Sequence, residues 1–240
     1  MVYLSIVIIN YNSEKYIEKC LKSCIKQITN FKYEIIIIDD ASTDKSYNKI
    51  LKYKSKKIRV FRNKKNLGIE KSSNIGLKKS LGKYVCRVDS DDLLEKRFID
   101  IMIKKFEKKY SFCYSNYKVI NSYGKIISRK TLPQFNKKEI LARGDFLATG
   151  TIYKRSILKK QKFYNTKFKN CGLENYELIL KLILQKNKGV RINRFLFSLR
   201  KHQKNMSKIK KKLIFNYGER IFKKMKLGDY SINQNHPNYI

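Results

Sequence analysis

The stretch Tyr84-Val85-Cys86-Arg87-Val88-Asp89-Ser90-Asp91-Asp92 joins a short apolar run directly to three carboxylates. Earlier in the chain, Glu34-Ile35-Ile36-Ile37-Ile38-Asp39-Asp40-Ala41-Ser42-Thr43-Asp44 has the same construction. Short apolar runs of this kind read as strands buried on both faces, the habit of a parallel sheet. Acids that follow such strands lie at their carboxyl ends, the edge where open α/β sheets bind ligands. The chain has only 19 acids against 56 Lys and Arg, yet six of the acids fall in these two windows. Adjacent carboxylates repel unless a cation sits among them, and hard oxygen ligands suit Mn²⁺ or Mg²⁺ bridging to a diphosphate. Helix capping is the plain alternative for both windows.

Working outward, Leu4 to Asn10 reads as a first strand, and Ser13 is placed to cap a helix carrying Ile17, Cys20, Leu21, Cys24 and Ile25 on one face. After the second strand, Ser42, Thr43 or Asp44 can cap a helix with Tyr47, Ile50 and Leu51, and 58–61 reads as a third strand. A helix over 68–81, the strand 84–88 and a helix striped by Phe98, Ile101, Met102 and Phe106 complete a βαβ rhythm. From 111 onward the pattern turns mixed, with aromatic strands (Phe112, Tyr114, Tyr117), helices over 137–143 and 174–185, and a strand over 149–153. The expected class is α/β, a Rossmann-like, mostly parallel sheet flanked by helices, with a mixed C-terminal half and a helical extension. In that extension, 208–227, Leu213, Ile214, Tyr217, Ile221, Phe222 and Met225 share a helical face among lysines. Packing on the main body is expected, and an anionic inner-leaflet membrane surface is the alternative.

The net charge of +37 would ordinarily point to nucleic acid or an anionic membrane. Lysine is spread through nearly every segment, so compositional bias and attraction to phosphate-bearing partners divide that reading, and nucleic acid is not the expected partner. Five scattered cysteines without a CxxC pair fit reduced thiols, and with two histidines a zinc site is not expected. The start has neither a basic leader nor a small-residue cleavage site, and no apolar run spans a bilayer, so a cytoplasmic place is expected, with peripheral contact to the inner membrane face as an option.

These residues resemble the inverting glycosyltransferases of family 2, whose donor-binding domain has the GT-A fold. Ser5-Ile6-Val7-Ile8-Ile9-Asn10-Tyr11-Asn12 is similar to the opening strand and Tyr-Asn turn, with Asn10 in place of the usual proline. The 34–44 segment resembles the second strand and its Asp-Asp-x-Ser-Thr-Asp loop. Asn66-Leu67-Gly68 and Asn74-Ile75-Gly76-Leu77 match two further elements, although Ser73 stands where arginine is common. Asp89-Ser90-Asp91-Asp92 matches the Asp-x-Asp motif.

The resemblance implies a catalytic domain over 1–207, with a nucleotide-binding half (1–110) and an acceptor-binding half (111–207), followed by the basic extension 208–240. It implies a nucleotide-diphosphate sugar as donor and a glycan or lipid-linked acceptor in surface polysaccharide synthesis. By the same resemblance Tyr11 lies beside the base, Asp40 bonds it, Asp89 approaches the ribose or metal, Asp91 holds the metal, and Arg200 and His202 reach the diphosphate. Glu174-Asn175-Tyr176-Glu177-Leu178 resembles the motif that carries the catalytic base, but the family's aspartate is Asn175 here. An amide accepts no proton, so the base is Glu174, less favourably Glu177, or absent. A catalytically impaired binding protein and a nucleotidyltransferase are the alternatives; the latter usually carries a glycine-rich phosphate loop, which Asn10-Tyr11-Asn12-Ser13 is not.

Overall fold

Strands β1 (Leu4–Asn10) and β2 (Tyr33–Asp39) are buried at every position, which is why neither shows polar alternation. In the computed structural model, residues 1–143, 147, 150–203, 205 and 209–230 are described. Helix α1 (Ile17–Ile25) connects these strands, and α2 (Ser46–Leu51), β3 (Ile58–Arg62), α3 (Ile69–Lys79) and β4 (Tyr84–Asp89) follow. β3, β2, β1 and β4 lie side by side, all parallel. Because successive strand residues face opposite ways, Val7, Ile9, Ile36 and Ile38 enter one core with Leu77 of α3, while Ile6, Ile8, Ile35 and Ile37 enter the other with α1. Gly76 lets α3 approach closely, since a β-carbon there would lie 2.4 Å from Val7 Cγ1.

The second half adds β5 (Leu93–Leu94), α4 (Phe98–Lys105), β6 (Phe112–Ile120), β7 (Ile126–Lys130), α5 (Lys137–Arg143), β8 (Ile152–Lys154), α6 (Arg155–Lys160), α7 (Glu174–Leu184), β9 (Gly189–Arg200) and α8 (Lys211–Met225). Among the described residues the sheet runs β3-β2-β1-β4-β8-β6-β9-β5, with β7 on β6. β8 joins both neighbours antiparallel, and β6 pairs β9 in parallel. The class is therefore α/β, with a parallel first half and a mixed second half, as expected. Register sets the site: Asn10 stands opposite Asp39, and Ile9 opposite Asp89, so three strand ends finish level.

Some local expectations change. Ser13 does not cap α1 through its side chain; its carbonyl accepts from the amides of Tyr16 and Ile17 instead. Asp44 does act at the start of α2, accepting from the Ser46 amide at 2.9 Å. The strand expected over 149–153 is found at 152–154; 149 lies outside the described residues, as do 206–208 and 231–240 of the C-terminal region. Helix α8 buries Ile214, Tyr217, Gly218, Ile221 and Phe222 against the body, with Phe222 6.2 Å from the Tyr176 ring, while Leu213 is turned out to solvent. No helix of the described residues is long and apolar enough to cross a membrane.

Candidate functional site

The carboxyl ends of β1, β2 and β4 finish side by side. At the first, Asn10 stands where the resembling family has proline, and its buried amide donates to Asp39 Oδ1 (2.7 Å), Ser42 Oγ (3.0 Å) and Ser46 Oγ (2.9 Å). Asp39 also meets Arg62 Nε at 3.2 Å, so its charge stitches the 39–46 loop together. Asn12 takes a positive φ of 50°, which asparagine tolerates, and accepts from the amides of Thr43 and Asp44. This turn leaves Tyr11 half exposed at the rim. Asp40, expected to bond the base, is directed at the chain itself. It is buried and accepts from Asn63 Nδ2 (2.8 Å), Leu67 N (2.8 Å) and Gly68 N (2.9 Å), fixing the 66–68 turn. Asn74 likewise holds another segment, bonding both backbone groups of Tyr164.

At β4, the end of β9 reaches back to the acidic loop. His202 Nε2 lies 2.8 Å from Asp91 Oδ2, and Tyr16 stacks on the imidazole at 4.9 Å. Asp92 accepts from the Arg200 amide at 2.8 Å and is buried. Arg200 itself is 1% exposed; its Nε donates to Asp91 O (2.8 Å) and its Nη1 to Asn121 O (2.9 Å). Arg200, expected near a diphosphate, is a strut beneath the loop in this structure. His202 and Asp91 are brought together, whereas Asp89 turns toward Arg87, 3.4 Å from its Nε.

Arg87 was read from the sequence only as a strand residue. Its Nη1 donates to Glu174 Oε1 at 2.6 Å, so one buried guanidinium joins the acidic loop to the first residue of α7. Burial disfavours its charge, and Asp89 and Glu174 overcome that and raise its pKa further. A lone arginine inside an otherwise buried strand was the available signal, because such a charge needs a carboxylate nearby. Burial pushes the Glu174 carboxyl up; Arg87 opposes this in part and Glu70 adds to it. Glu177 points elsewhere. It accepts from Tyr217 Oη (2.6 Å), Lys181 Nζ (2.9 Å) and Asn165, anchoring α8 to α7, and its expectation as a base is corrected accordingly. Asn175 is buried, donating to Leu147 O and accepting from Tyr153 Oη at 2.9 Å.

Carboxylate oxygens suit Mn²⁺ or Mg²⁺, and Asp91 offers one beside the His202 imidazole. Asp89 lies outside any three-residue group at metal-ligand spacing; among the described residues the group that meets that spacing is Glu70, Cys171 and Glu174. That cluster is fully buried, Glu70 accepts from the Asn170 and Cys171 amides, and burial pushes the Cys171 thiol up, away from the thiolate a metal needs.

The model of glycosyl transferase family 2 matches residues 5–171. The chain belongs to this family. Relatives of this family 2 chain include an uncharacterized glycosyltransferase of Rickettsia felis, 34% identical over 165 residues, covering 64% of this chain and 27% of that protein. Another is the UDP-Glc:alpha-D-GlcNAc-diphosphoundecaprenol beta-1,3-glucosyltransferase WfgD of Escherichia coli, 30% identical over 132 residues, 55% of this chain and 51% of WfgD. The chain thus spans about half or less of these two relatives. Among solved structures, S. aureus TarS 1-349 with UDP-GlcNAc superposes at a TM-score of 0.73 and 23% identity, over 95% of this chain and 68% of that one. The Pyrobaculum calidifontis mannosyltransferase PcManGT, with GDP-Man and Mn²⁺, gives 0.69 at 13% identity, over 95% and 65%. At such identities they speak for the fold, which is GT-A.

Proposed function

We propose that this chain transfers a glycosyl group from a nucleotide-diphosphate sugar to a hydroxyl of a glycan or lipid-linked acceptor, with inversion at the sugar carbon. The observation that carries the reading is the Asp91–His202 contact of 2.8 Å at the end of β4, because it draws a carboxylate and an imidazole from distant parts of the chain to the sheet's ligand-binding edge. Asp91, with His202 against it and Asp89 two residues earlier at the end of β4, would hold Mn²⁺ or Mg²⁺. A bound divalent cation supplies charge neutralisation for a leaving diphosphate. Tyr11, half exposed at the rim, offers its ring to the nucleobase. Glu174 is the proposed base: burial raises its proton affinity toward the range useful for general base catalysis, and Arg87 ties it to the acidic loop. The naming of WfgD for a UDP-sugar and a lipid diphosphate supports a donor and acceptor of those classes. A cytoplasmic place at the inner membrane face would follow from such an acceptor.

A second reading, a binding protein with impaired chemistry, draws on Asn175, whose amide is locked between Leu147 and Tyr153. Calorimetry with UDP, GDP and CDP, with and without Mn²⁺, tests the proposal. Micromolar binding of one nucleotide that vanishes with chelator is expected, followed by product from the matching sugar nucleotide. Binding without turnover on any hydroxyl acceptor would favour the second reading, and no binding would remove both.

A further inference from the structure

Large apolar side chains exposed singly on a surface are ordinary. Here three gather at one hairpin: Tyr123 is 81% exposed, Ile126 44% and Ile127 55%. They cap the β6–β7 turn, closed by the Gly124 amide donating to Asn121 O at 3.0 Å. Every position from 123 to 131 is exposed, and Lys125, Arg129 and Lys130 stand among the apolar residues without an acid. Ile126 and Ile127 are consecutive on a strand and so face opposite ways; with both exposed, the tip is a wedge rather than a one-sided patch. Lys15 adds a cation, 5.6 Å from the Tyr123 ring centroid. The root is firm, because Arg200 joins Asn121 and Ser122 to the backbone of Asp91. The wedge therefore stands beside the acidic loop.

We propose that this hairpin tip inserts into the interfacial layer of an anionic phospholipid bilayer. An aromatic ring, two aliphatic side chains and interleaved cations suit the boundary between headgroups and acyl chains, the cations meeting phosphate while the apolar groups leave water. Helix α8 offers no equivalent, since its apolar face is already buried. A second copy pairing on edge strand β7 would bring Lys125, Arg129 and Lys130 against their own kind. Nucleic acid would satisfy the cations and leave the isoleucines in water. The inference stands independently of sugar transfer.

The chain contains no tryptophan, so Tyr123→Trp supplies a single reporter. Leu81→Trp is the control, because Leu81 is 59% exposed and precedes β4, at the opposite end of the sheet from the acidic loop. With vesicles of phosphatidylglycerol and phosphatidylcholine, Tyr123→Trp should shift to the blue and be quenched by brominated acyl chains, while Leu81→Trp should do neither. Replacing Tyr123, Ile126 and Ile127 together by serine should lower vesicle partitioning on the order of tenfold or more. Adsorption without a shift at 123, or equal shifts at both positions, would mean that the general positive charge binds and would overturn the proposal. A shift at 123 on adding RNA, or on concentrating the protein without vesicles, would overturn it in favour of nucleic acid or self-association.

Discussion

Glu174 is the proposed base, and Glu177, the other candidate, is held by Tyr217, Lys181 and Asn165. Glu174→Gln keeps shape and should lower turnover about 10²–10⁴-fold while sparing nucleotide affinity; near-normal turnover would remove Glu174 as base. Burial raises its carboxyl, so it stays protonated to higher pH than an ordinary glutamate of about 4.3. A base must be ionised, so the acid limb of kcat/KM should fall off above that ordinary range as pH is lowered, which a pH–rate profile reads directly. The reverse of the natural replacement, Asn175→Asp, should not raise turnover. It sets a carboxylate oxygen against the Leu147 carbonyl that the amide now serves, and should cost about 1–3 kcal/mol in urea unfolding. At this scale Asp91 and His202 were both legible as candidates, and the fold sets them 2.8 Å apart, a pairing that the sequence does not encode. Arg200 and Asp40, expected at the donor, and Glu177, the weaker candidate base, hold loops and a helix in the fold, because a motif records that a charge is needed without recording which neighbour needs it. Arg87 lay in plain view within the strand, and only the fold reveals that Asp89 and Glu174 flank it.

Among elements, periodicity located α1, α3, α4 and α7 and the parallel strands, since each buries a face or both faces against the same sheet. β5 and the long β9 were not legible, because β5 has two residues and β9 earns its place by pairing with β6 far away in sequence, a tertiary choice that local pattern does not encode. Helix α8 was legible as amphipathic, and its seat on α7 became clear through Tyr217. The Tyr217 hydroxyl reaches Glu177 at 2.6 Å, so Tyr217→Phe should destabilise the protein by about 1.5–3 kcal/mol near neutral pH. Burial pushes Glu177 up, but Tyr217, Lys181 and Asn165 together bring its carboxyl below the usual glutamate range. A folded value lowered in this way contributes stability that is complete above the unfolded value of about 4.3 and is lost as pH falls through the folded one. The gap between wild type and Tyr217→Phe in urea midpoint should therefore narrow below pH 4. A gap unchanged in acid would mean that ring packing against Phe168, and not the hydrogen bond, carries the latch.

For the whole molecule the dominant quantity is the charge of +37. Two of the buried acids are firmly paired, Glu174 with Arg87 at 2.6 Å and Glu177 with Lys181 at 2.9 Å, where salt screens little. Exposed pairs such as Lys109 with Glu107 contribute little in any case. What remains is long-range repulsion among lysines on the surface, which opposes the compact state and is the part that salt screens, with a Debye length of about 10 Å at 0.1 M. Raising NaCl from about 0.02 to 0.3 M should consequently raise Tm, the reverse of a protein held by surface ion pairs. The same screening should weaken vesicle adsorption driven by charge alone, while quenching at Tyr123→Trp persists to the extent that the apolar tip is inserted. A Tm that falls with salt would mean that attractive surface pairs outweigh repulsion, and the lysine excess would then have to be arranged around acids more closely than the ion pairs found here allow.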